Sequence, residues 1–136
     1  MTIYWGDGTS QASGIEYATG TWTPTPNWGS GHSGATGKYV RIGGVCHAWG
    51  YINQIDDGSS DPMRINGLPY NADGSQNCGN AMTQYNGDAD QNLSNWISDN
   101  TNYFNVFKSD SGSWSALTYH DQGGSNKWYW QLSYKI

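Results

Sequence analysis

The chain has 136 residues and a net charge of −5, and its six Lys and Arg are scattered without a basic run. That is the size of one domain, and it lacks the clustered cations that neutralise phosphates in a nucleic-acid partner. No apolar run approaches the ~20 residues of a membrane span, and Met1 to Gly6 has no basic residue followed by an apolar stretch, so the expectation is a soluble product made in a cytoplasm, without membrane insertion.

Leu, Ile, Val and Phe together supply only 17 residues, but eight Trp and ten Tyr restore the apolar area, so the core is expected to be aromatic. Nineteen Gly, with many Asn and Ser, suit short strands joined by tight turns better than helices. At the N-terminus, Ile3, Tyr4 and Trp5 precede a Gly6-Asp7-Gly8 turn. Three large apolar side chains in so short a segment make residues 1–19 either an arm that attaches to a neighbouring chain or larger assembly, or an edge strand of the chain's own sheet. A polar loop around Pro26 to His32 carries Trp28, which either stacks a ligand or packs down as a loop anchor.

From Lys38 to Ile52 the pattern is continuous β, interrupted only by Gly43-Gly44, and reads as two paired strands. Period-two alternation puts Val45, His47, Trp49 and Tyr51 on one face and Cys46, Ala48, Gly50 and Ile52 on the other. Both faces are half apolar, so one is expected under a second sheet and the other under a loop or a neighbouring subunit. Pro69 is expected to end a strand. Residues 71–91 show no period and read as a long irregular loop holding Met82 and a second candidate stacking residue, Tyr85. Residues 102–108, 113–120 and the C-terminal stretch read as a three-stranded antiparallel meander. Its last strand alternates cleanly, with Trp128, Trp130, Leu132, Tyr134 and Ile136 on one face and Tyr129, Gln131, Ser133 and Lys135 on the other.

Three segments carry a resemblance. Gly20-Thr21-Trp22-Thr23-Pro24-Thr25, then Gly37-Lys38-Tyr39-Val40-Arg41-Ile42-Gly43-Gly44-Val45, then Ile65-Asn66-Gly67-Leu68-Pro69-Tyr70 resemble, in order and spacing, a module at the C-terminal end of many bacteriophage tail-fibre and other virion-surface proteins. Gly6-Asp7-Gly8-Thr9-Ser10-Gln11 is similar to the Asp-Gly-Thr-x-Gln turn that often precedes such modules. The resemblance covers residues 20–70, and residues 71–136 carry no signature of the family. It implies a homotrimer on the virion surface, synthesised in a host cytoplasm and in contact with other virion proteins. With the strand pattern, the expected fold is all-β: an antiparallel β-sandwich or jelly-roll-like domain with long loops over residues 20–136, preceded by the 1–19 arm.

Chemistry is sparse. Glu16 is the single glutamate, and the ten Asp lie mainly beside Gly, Ser or Asn, where a turn role suffices. His32, His47 and His120 are widely separated, no Cys or His spacing suits zinc, and no Gly-x-Ser-x-Gly elbow is present. The acidic loops at 56–61 and 86–92 lack the twelve-residue EF-hand pattern and read as solvated turns. Cys46 and Cys78 could pair, but a cytoplasmic product is expected to keep them as thiols. The expectation is therefore a non-enzymatic surface protein without cofactor or metal. It is an appendage module that binds a host-surface glycan or protein, with a capsid decoration or cement protein as the alternative. A carbohydrate-active enzyme has no positive feature.

Overall fold

The computed structural model describes residues 3–4, 6, 10–11, 14–27, 32–53, 61–84, 92–110, 112–118 and 127–136. Every regular element among them is a strand: β1 Ile3–Tyr4, β2 Ser10–Gln11, β3 Tyr17–Trp22, β4 Thr25–Pro26, β5 Ala35–Ile42, β6 Val45–Asn53, β7 Arg64–Asn66, β8 Gln76–Gln84, β9 Asn92–Ile97, β10 Tyr103–Asp110, β11 Ser113–Ala116 and β12 Lys127–Lys135. β1 and β2 pair only with each other, and β3 takes up the last three residues of the 1–19 segment. The other ten strands form one antiparallel sheet in the order β3-β5-β6-β12-β8-β9-β10-β7-β4, with β11 beside β10. The all-β, antiparallel expectation holds.

The sheet curls on itself. Its two ends, β3 and β4, are separated in the chain by only Thr23 and Pro24. Phe104 of β10 meets Trp130 of β12 with ring centroids 5.6 Å apart, although three strand spacings of ~4.8 Å would separate them on a flat sheet. The core lies inside the curl, where Trp128, Leu132 and Tyr134 of β12 join Cys46, Ala48 and Ile52 of β6, together with Ile65, Ile97, Phe104, Val106 and Leu117. Both sequence alternations are met, residue by residue, on this inner face.

One row across the sheet explains two glycines. Trp22, Gly37, Gly50, Trp130 and Ala81 are successive register partners on the inner face. The Trp22 indole occupies the space a Gly37 Cβ would need, and the two indoles lean together over the glycines with centroids 6.3 Å apart. Packing of this kind offsets the weakness of glycine within strands. Gly43-Gly44 is the expected tight turn: Ile42 faces Val45 and Gly43 has φ 56°, as the first turn position of a two-residue hairpin requires.

Three expectations are corrected. The 71–91 stretch is not one long loop, because β8 runs through it between β12 and β9; its polar and small residues hold a central position through backbone pairing on both sides. The last strand does not complete a meander. β10 and β11 form the expected hairpin, but β12 inserts between β6 and β8, where its aromatic face is covered. The strand before Pro69 ends earlier, at Asn66, because Gly67 turns the chain away with φ 93°.

Cys46 and Cys78 are both free and buried. The Cys78 Sγ donates to the Asn95 carbonyl at 3.5 Å, and burial pushes this thiol up to about 12. Burial raises Cys46 as well, partly offset by a hydrogen bond with Tyr134 and the charge of Arg41.

Candidate functional site

The outward side chains of the sheet form a grid set by register. Lys38, Trp49, Gln131 and Asn80 make one row across β5, β6, β12 and β8; Val40, His47 and Ser133 flank it on one side, and Tyr51 and Tyr129 on the other. Each is outward because its chain neighbours are the buried half of the alternation.

Among the described residues of the single chain this face is uncovered. Trp49 and Tyr51 are each 37% exposed, a large value for rings in the middle of a sheet. They border a concavity of about 740 Å³ shared with His47, Asn80, Tyr129 and Gln131, within the ~300–1,000 Å³ range of small-ligand sites. The Gly50 backbone forms part of its floor.

Neighbouring contacts fix the orientation of the rings. His47 Nδ1 is hydrogen bonded to Ser133 Oγ at 2.7 Å, and the imidazole lies against Trp49 with centroids 5.5 Å apart and planes 34° apart. Tyr51 and Tyr129, directly opposite on adjacent strands, are 6.1 Å apart. The His47–Ser133 pair ties β6 to β12. Among the described residues no carboxylate bonds the imidazole to complete a nucleophilic triad, and no group of three or more His, Cys, Asp and Glu is placed to hold a metal ion.

No family model, curated protein or solved structure matches this chain. The functional reading therefore rests on the residues themselves.

Partly exposed rings beside amides and hydroxyls suit a sugar: an aromatic face can take the C–H side of a pyranose, while the amides of Gln131 and Asn80 and the hydroxyl of Ser133 can bond its hydroxyls. A second, smaller cleft of about 270 Å³ lies on β9, β10 and β11, bordered by Trp96, Phe107 and Trp114. There Phe107 and Trp114 are 4.8 Å apart and Trp114 is 70% exposed.

Trp28, Tyr85 and Trp5 lie outside the described residues. Ile3 and Tyr4 are described only as backbone in β1. Loop position directed the sequence reading to Trp28 and Tyr85, and so it missed the sheet-face rings. The available signal was the aromatic content of the outward half of each alternation, at Trp49, Tyr51 and Tyr129.

Proposed function

We propose that this is a non-enzymatic virion-surface module of tail-fibre or appendage type that binds a host-surface glycan on its open sheet face. The carrying observation is the concavity between Trp49, Tyr51 and Tyr129, with polar side chains interleaved among rings already held in place. Rings fixed by strand pairing lose little conformational freedom on binding. The similarity of residues 20–70 to phage fibre modules supports the location. Saturable binding of the purified chain to an array of bacterial polysaccharides is the expected result. Trp49→Ala and Tyr129→Ala should each weaken it by about tenfold or more, as for a central aromatic anchor. Absence of binding to every glycan, with capture by virion capsids instead, would favour the decoration-protein reading.

Homotrimeric association is part of the same proposal, and an apolar corner supports it. Tyr17, Ile42 and Val45 are register neighbours at one end of the sheet and, with Ile15 close by, are 50–70% exposed. Contiguous apolar surface of this kind marks contact sites. Light scattering is expected to give three chains for the wild type and one for Ile42→Glu, whose buried charge would be unpaired at the contact.

A further inference from the structure

Charged residues are unevenly placed on the described strands. Of the six Lys and Arg in the chain, Lys38, Lys127 and Lys135 all stand at outward positions of β5 and β12, on the face that carries the rings. No Asp or Glu occupies an outward position of β3, β5, β6, β8 or β12. Lys135, at the end of the face, is paired with Asp73 at 2.6 Å. Arg41, whose side chain leaves the other side of β5, is bonded to Glu16.

Lys38 is directly across from Trp49, and Lys127 lies two residues from Tyr129 on the same face. By strand rise and spacing the two are roughly 17 Å apart, one on each side of the rings. An extended polymer laid over Trp49 and Tyr129 would pass both ammonium groups. We infer that the platform selects an acidic polysaccharide, reading the anionic group of its repeat with Lys38 and Lys127 while the rings stack on the sugars. This rests on the glycan-binding reading above and adds the charge of the ligand. A carboxylate and a phosphodiester would supply the same chemistry. A single-stranded nucleic acid is the weaker fit, because its backbone needs a continuous basic groove beside the rings.

The test is a fluorescence titration of the full chain with polygalacturonate, the same polymer after carboxyl reduction, a glycerol-phosphate polymer, a neutral glucan and a single-stranded oligonucleotide. At low ionic strength an anionic polysaccharide should bind about fivefold or more tighter than its uncharged counterpart, the combined effect of two exposed ion pairs. That ratio should shrink between about 0.02 and about 0.3 M salt as the Debye length shortens. Lys38→Gln and Lys127→Gln should each reduce it roughly two- to fivefold, with unchanged melting curves as the folding control. The carboxylate and phosphate arms identify which group is read. Equal binding of the acidic and carboxyl-reduced polymers, or a ratio insensitive to both lysine changes, would overturn the inference and leave the glycan site standing. Failure of every polysaccharide to bind would overturn both. Tighter binding of the oligonucleotide than of any polysaccharide would replace them with a nucleic-acid site.

Discussion

Gly50→Ala is expected to destabilise the protein by about 3 kcal/mol, the upper end of ordinary overpacking, and to lower its melting temperature by roughly 10 °C. A Cβ at position 50 would press into the Thr36 carbonyl oxygen and come within 3.0 Å of the Gly37 Cα. Both are backbone atoms of the paired strand, so no rotamer change relieves the contact and β5 must move away from β6. The same displacement would disturb the Trp22–Trp130 contact beneath and the floor of the outer concavity above. Gly37→Ala meets a side chain instead, the Trp22 indole. Its cost should therefore couple to that ring, with Gly37→Ala and Trp22→Ala together destabilising less than the sum of the two. Gly14→Ala is the control: nothing lies within 4 Å of its Cβ position, and its effect should stay within about 0.5 kcal/mol. Urea titrations of the four single variants and the double variant measure this ranking. A Gly50→Ala midpoint equal to that of Gly14→Ala would remove the close approach of β5 as the reason for glycine.

The same row shows how far the sequence could be read. The alternations at 45–52 and 128–136, the Gly43-Gly44 turn and the aromatic core could all be read because each is local: a strand's two faces and a two-residue turn depend on neighbouring residues. The place of β12 was not local. Its partners are residues 45–53 and 79–84, far away in the chain, and adjacency in sequence pointed to the preceding hairpin. β8 was hidden for a different reason. Asn80 and Gly79 have little strand preference, yet pairing on both sides holds the segment extended, and Gly79 itself sits where the Gln131 carbonyl leaves no room for a Cβ. The candidate site fell between these cases. Its rings were correctly assigned to one face of each strand, but alternation alone does not tell which of two partly aromatic faces is covered. Only the direction of the curl leaves Trp49 and Tyr51 outside and Trp128 and Trp130 inside.

Raising the pH from about 9 to about 12 is expected to destabilise the fold by about 1.4 kcal/mol per pH unit through Cys78 alone. An unfolded cysteine ionises near 8.5, whereas burial holds the folded Cys78 thiol up to about 12. Between these values the folded chain keeps a proton that the unfolded chain has released, so each step up in pH favours unfolding. Below the unfolded value both states are protonated, and this contribution to stability is fully present and flat. Cys46 and Tyr134 act in the same direction: burial raises both, and their mutual hydrogen bond moves Tyr134 further up. The Tyr134 hydroxyl also donates to the Tyr70 carbonyl at 3.2 Å, so its ionisation would cost a bond that ties β12 to the segment after β7. Urea midpoints measured from about pH 7 upward should be level and then fall, and the decline should be shallower in Cys78→Ala by about one proton's worth of slope. That variant also loses packed sulfur, which lowers its curve by a similar amount at every pH and leaves the slope as the diagnostic quantity. An identical slope in wild type and variant would mean that Cys78 ionises as readily folded as unfolded, contrary to its burial beside the Asn95 carbonyl.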